Sequence, residues 1–351
     1  MINYLYSMNL RLNMKSIFAL VIMLTSLTLT PFKSFTQPVP PDDSNIPFLV
    51  TFGNEASKQW GDDDFSQTFF LSVPKELTTP FYIRVFDPEV GGKHDEMYDS
   101  NNTKIRFSIH GGKGCFTDKD ATGTQPQGNY RSGALLDSRT FGTNEKYDDS
   151  WFSFGPFSAD QGEFVADFDS KVFKIVADGV NGDDGNLYRY FFSTSPTNNI
   201  PIEGANAFNY EWTFRMPDQP DAVCHLYPYL DNKVVSIKQL NYDWDNDGII
   251  KIVSYEKKGE WVAMSGESDW KDSTHDILET ERNGSLDIQF VRSKANPRKN
   301  NNVCFSIKNQ YGEYLQFYTI PIGGVPKFKY DIKLLDQIQE GERFNRDKVF
   351  K

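Results

Sequence analysis

The 351-residue chain sets 37 Lys and Arg against 48 Asp and Glu, a formal charge of −11, which argues against nucleic acid or an anionic membrane surface as its main partner. Its four histidines (His94, His110, His225 and His275) are scattered with no pair at zinc spacing, which leaves a zinc centre without support. Three cysteines leave at least one thiol unpaired within the chain.

Taken in order, the chain opens with Arg11 and Lys15 ahead of an apolar run from Ser16 to Thr30, which Pro31 ends. A charged start followed by a hydrophobic stretch too short to span well is the pattern of a secretory signal peptide. Ser34 and Thr36 are small enough for cleavage, so residues 1–36 are expected to leave and the mature chain to begin near Gln37. The protein is therefore expected to be exported, periplasmic or secreted. No later stretch is apolar enough to cross a bilayer, so no transmembrane segment is expected after cleavage. Residues 37–46 (from QPVPPDDSN) read as a proline-rich linker.

From residue 47 the hydrophobic period becomes two. Strand-like runs fall at Phe48 to Phe52, Thr68 to Val73, Phe81 to Phe86 and Thr103 to Ile109, each bounded by Gly, Pro, Asn or Asp. Between the third and fourth lies Asp87 to Asn102, acidic and without apolar periodicity, a connection long enough to be functional. Further runs appear at Gly133 to Phe141, Trp151 to Phe154, Val172 to Ala177, Leu187 to Phe192 and Ala207 to Met216. Met216 to Asp221 (MPDQPD) is the strongest internal boundary. Beyond it come Ala222 to Tyr229, Lys233 to Leu240, Ile249 to Tyr255, Trp261 to Ser265, Ser285 to Val291, Val303 to Lys308 and Tyr314 to Ile320. A helical spacing at Ile332, Leu335 and Ile338 stands near the C-terminus. The expectation is an all-β protein. It divides into two antiparallel β-sandwich domains in tandem (jelly-roll or Ig-like) at 47–216 and 222–330, with a short C-terminal helix and tail at 331–351.

Two acidic loops carry the candidate site residues. In Asn241 to Glu256, Asp243, Asp245 and Asp247 alternate ahead of Gly248. Alternation on a tight loop turns three carboxylates toward one point, where a hard cation takes oxygen ligands. This resembles the first half of a calcium loop; the twelfth position, where a bidentate Glu would stand, is Ser254. The second loop, DGVNGDDGN, offers oxygens from Asp178, Asp183, Asp184 and Asn186, with glycines at 179, 182 and 185 that let backbone carbonyls converge. Calcium is the cofactor both loops suggest.

Catalytic patterns are sparse. No GxSxG elbow or HExxH is present, and the glycines of SIHGGKGCF lack the GK[ST] ending of a phosphate loop. The acids cluster in Gly- and Asn-rich loops, where solvent or a cation keeps them ionised, which suits ligation better than general acid work. Trp60, Trp151, Trp244, Trp261 and Trp270 all lie near polar segments, where exposed rings stack on sugars or anchor a partner. The expected function is a non-catalytic, exported binding protein with calcium-stabilised acidic loops and a protein or glycan partner. The alternatives are a glycoside-active hydrolase or carbohydrate-binding accessory module, and a structural subunit of an envelope assembly.

Overall fold

The computed structural model describes residues 38–98, 102–119, 121–122, 131–245, 248–292 and 301–326. The expected signal peptide, the C-terminal helix and Asp247 lie outside these residues. Where side chains alternate between apolar and polar, the chain extends into strands. These begin with β1 (Phe48–Phe52), β2 (Ser66–Pro74), β3 (Phe81–Phe86), β4 (Lys104–Gly111), β5 (Ala134–Phe141) and β6 (Trp151–Phe157). A short β7 (Glu163–Val165) leads into the long strands β8 (Ser170–Asn181) and β9 (Gly185–Ser193), followed by β10 (Asn206–Asn209) and β11 (Glu211–Arg215). Past Met216 come β12 (Val223–Leu226), β13 (Tyr229–Leu230), β14 (Ser236–Tyr242), β15 (Gly248–Val253) and β16 (Lys258–Trp261). The series ends with β17 (Trp270–Asp276), β18 (Gly284–Ser285), β19 (Asp287–Arg292), β20 (Asn302–Asn309) and β21 (Phe317–Tyr318). Among the described residues the helical pieces are single 3-10 turns, so the fold is all-β with several antiparallel sheets.

An eight-stranded sheet runs β17-β14-β20-β11-β1-β9-β3-β6, and a seven-stranded one includes the path β21-β10-β2-β8-β4-β5 with β7 beside β8. Four strands, β12-β19-β15-β16, form a third sheet, and β13 with β18 a fourth. Strands from both sides of the Met216 to Asp221 break share the largest sheet. There β11 pairs with β20 from Glu211 opposite Ser306 to Arg215 opposite Asn302.

Aromatic side chains weld the layers. Phe69 of β2 meets Tyr190 of β9 at 5.6 Å and Trp212 of β11 at 5.2 Å, edge to face, while Phe107 of β4 meets Tyr188 at 5.1 Å. Phe290 of β19 in turn meets Phe214 of β11 at 5.2 Å and Phe305 of β20 at 5.0 Å. Trp212 and Phe214 are two residues apart on one strand and so point to one face. The seven-stranded and four-stranded sheets therefore both cover the same face of the eight-stranded sheet. Each ring fully withdrawn from water contributes about 1.5–3 kcal/mol.

Residues 38–46, expected within a linker, lie against this body. Val39 is fully buried and exchanges both backbone hydrogen bonds with Tyr190, at 2.9 and 2.8 Å. The Asn45 amide donates to the Val223 carbonyl at 2.8 Å. The reason is apolar: Val39 and Ile46 both enter the core, which offsets the ordering of the prolines between them.

The sheet borders have their own chemistry. β17 reads WKDSTHD with mostly exposed side chains, β6 carries Gly155 and Pro156, β5 is exposed along most of its length, and β16 reads KGEW. Cys115, Cys224 and Cys304 are all buried and free, with Cys224 and Cys304 in different sheets. Burial pushes the Cys115 thiol up to about 12, the signature of an inert, structural cysteine.

Candidate functional site

Three neighbouring strands lay the floor of a cavity of about 460 Å³. Phe48 stands opposite Arg215 across β1 and β11, and Leu49 opposite Tyr188 across β1 and β9. Arg189, one residue on from Tyr188, thus sits beside Phe48. The inward neighbours Leu49, Tyr188 and Phe214 are buried, so alternation turns Arg215, Phe48 and Arg189 to the opposite face as one row. The Arg189 guanidinium lies 4.5 Å from the centre of the Phe48 ring, a cation–π contact. Prolines 40, 41, 47 and 217 stiffen the rim.

The acidic connection after β3 supplies the remaining wall. Lys93 donates to Asp149 Oδ2 at 2.6 Å, and His94 Nε2 lies 2.9 Å from Asp149 Oδ1. The Lys93 ammonium beside it holds the Asp149 carboxyl below its usual range. His94 also packs its ring 4.8 Å from Phe48. Arg215 is matched by the buried Glu96 and by Asn302 Oδ1 at 3.1 Å. Arg189 differs. It donates Nε to the Pro47 carbonyl at 2.5 Å, and among the described residues no carboxylate forms an ion pair with it. Burial lowers its pKa, the mark of a guanidinium partly stripped of water.

Asp243 and Asp245 sit in the β14–β15 turn with left-handed φ of 56° and 61°. Asp243 is buried, and its Oδ1 accepts from the Ser268 amide at 2.6 Å, which pins the turn to the segment before β17. Asp178, near the end of β8, pairs with the guanidinium of Arg106 and lies 3.9 Å from that of Arg131. Asp183 and Asp184 form the β8–β9 turn. Asp184 is buried, its Oδ1 accepting from the Tyr98 amide at 2.9 Å and its own amide donating to Thr103 Oγ1 at 2.8 Å. Asn186 donates its side-chain amide to the carbonyls of Pro88 and Glu89, at 2.9 and 2.6 Å. Asp184 and Asn186 thus strap the 87–98 connection to the sheet. Among the described residues, the groups of three acidic or imidazole side chains close enough for an ion are Asp87–His94–Asp149 and Asp87–Glu89–Asp148, and none of the predicted residues belongs to either.

Of the tryptophans, Trp244 is buried against Phe290, Trp60 stacks on Tyr98, Trp270 donates to Asp63 Oδ2 at 3.0 Å, and Trp261 is 65% exposed on the border strand β16. Sequence reasoning passed over Arg189, although an arginine between the two buried tyrosines of YRY was its available signal. Comparison with protein-family models finds no match for this chain, and a search of curated proteins finds no relative.

Proposed function

We propose that this is an exported, non-catalytic binding protein that takes an anionic group of a partner, glycan or protein, in the cavity beside Arg189. The observation that carries the reading is the arginine itself: it is partly desolvated, is stacked on Phe48, and has no ion-pair partner among the described residues, with Asp42 as a more distant carboxylate neighbour. An incoming carboxylate would find a planar fork already oriented by its Nε hydrogen bond. Lys93 and His94 line the same cavity, both engaged by Asp149. The layers, read as two sandwiches in tandem built on the shared sheet, would serve as a rigid frame for that face, and calcium on the acidic loops would hold the frame's connections in place.

A glycoside hydrolase needs two carboxyl groups about 5–9 Å apart across a cleft; this cavity is lined by Lys93, Arg189 and Arg215 together with Asp42 and Asp218, and the cationic excess favours binding an anion over that chemistry. Titration calorimetry of the mature chain with an oligogalacturonate, a neutral oligosaccharide of equal length and a Glu-rich peptide tests the proposal. Saturable binding of at least one acidic ligand, weakening as salt rises, is expected. Arg189→Gln keeps the bond to Pro47 and removes the charge, and should weaken that binding by about 2 kcal/mol, roughly 30-fold. Equal affinity in the variant, or preference for the neutral sugar, would overturn it.

A further inference from the structure

At the end of β3 the chain turns through Asp87, whose φ of 54° is left-handed. Its amide donates to the Ser150 carbonyl at 3.0 Å, and its Oδ1 accepts from the Asp149 amide at 3.0 Å. The carboxylate is therefore locked in place. Its other oxygen, Oδ2, is buried and has no hydrogen-bond partner, in a residue with no exposed surface at all. Asp148 Oδ1 is buried without a partner as well, and Glu89, 2% exposed, comes in beside them. One carboxylate oxygen from each of the three lies within 4.8 Å of the others. Among the described residues none of the three makes an ion pair.

That arrangement is costly on its own. A buried acceptor without a donor forfeits its hydration, and gathered like charges repel. Burial first, and then the neighbouring Asp148 carboxylate, push Asp87 and Glu89 both up to about 7. The surroundings nevertheless hold the group together. Asn186 grips the Pro88 and Glu89 carbonyls, and Asp95 accepts from the amides of Gly91 and Leu187, at 2.7 and 2.6 Å. Gly92 has a φ of 68°, and a Cβ there would stand 2.2 Å from Asp148 Oδ1. Only glycine leaves room for that carboxylate.

We propose that Asp87, Glu89 and Asp148 bind a divalent, oxygen-preferring cation of the calcium class. An all-carboxylate donor set without thiolate or imidazole selects a hard ion over zinc. Two positive charges would supply the orphaned oxygens with the partner the protein withholds. The neighbouring group that includes His94 is a weaker claimant, since its His94 and Asp149 already satisfy one another and Lys93 neutralises the pair. This inference rests on the calcium part of the proposed function, and it moves the ion from the predicted loops to the connection after β3.

The test uses the mature chain stripped with a chelator, then titrated with calcium, magnesium and zinc by calorimetry and followed by thermal melting. Calcium should bind at this site and raise the melting temperature by about 5 °C at saturation. Asp87→Asn keeps the acceptor for the Asp149 amide, and Glu89→Gln keeps the side-chain volume. Each should weaken calcium binding at least tenfold and remove the thermal shift, while circular dichroism shows the fold intact. Asp243→Asn should leave both unchanged. Binding that is lost in Asp243→Asn but kept in Asp87→Asn and Glu89→Gln sinks this site and preserves the calcium reading. No calcium binding by the stripped wild-type chain sinks both. Tight zinc binding that His94→Ala abolishes, with calcium inert, would assign the ion to the imidazole group and overturn the proposal.

Discussion

Phe290→Ala is expected to cost about 3–5 kcal/mol of folding stability. Phe290 is fully buried and contacts Phe214, Trp244 and Phe305, with ring centres 5.2, 5.6 and 5.0 Å away. It is thus the point where the four-stranded sheet grips two strands of the eight-stranded one. Truncation loses the transfer energy of the ring and leaves a void that stiff β-sheet neighbours close only in part. Guanidinium denaturation, followed by tryptophan fluorescence and by far-ultraviolet dichroism, gives the measure. One transition with coincident midpoints is expected in both proteins, because the β11–β20 hydrogen bonds couple the strands on either side of the proline-rich break. A loss below about 1 kcal/mol would mean that the ring is not the joint described.

Acid should destabilise the protein through His110, by about 2–3 kcal/mol between pH 6.5 and pH 4. The side chain lies on β4 opposite Lys174 of β8, is 4% exposed, and its Nδ1 has no hydrogen-bond partner. Burial, and then the charges of Lys174 and Arg131, lower its pKa from 6.5 to about 4. Across that window the unfolded chain binds a proton that the folded chain refuses, so stability falls as pH falls. Buried carboxyls such as Asp62, raised to about 6, act in the opposite sense. They are common to wild type and variant, so the difference between wild type and His110→Gln isolates the imidazole. Parallel stability curves for the two proteins over pH 7 to 4 would refute the assignment.

The strands were legible because their alternation is local. Phe48 to Phe52 and Phe81 to Phe86 are read from the sequence with the bounds the structure gives, and the runs at Thr68 and Val303 fall within a residue or two of β2 and β20. β17 was missed for a physical reason. WKDSTHD is a border strand held by backbone pairing to β14, and little apolar rhythm is needed where one side faces water. Sheet order was not legible at all. Nothing in the spacing of Glu211 and Ser306 says that their strands pair, because register between distant segments is decided by three-dimensional packing. The same limit hid the cavity, whose Phe48, Arg189 and Arg215 come from three strands far apart in sequence. The acidic connection after β3 stood out by its length, but the convergence of Asp87 and Glu89 with Asp148 comes from tertiary structure.

The composition of the outermost strands bears on how the molecule behaves in company. An unpaired strand is an open row of donors and acceptors on which another chain can extend the ladder. Here Lys271, Asp272 and Asp276 on β17, Pro156 on β6 and Lys258 with Glu260 on β16 stand on those rows. A second copy approaching edge-on must strip water from these charges, or meets a residue with no amide hydrogen to give. Such margins disfavour edge-to-edge growth of an aromatic-rich polypeptide whose fold is all-β.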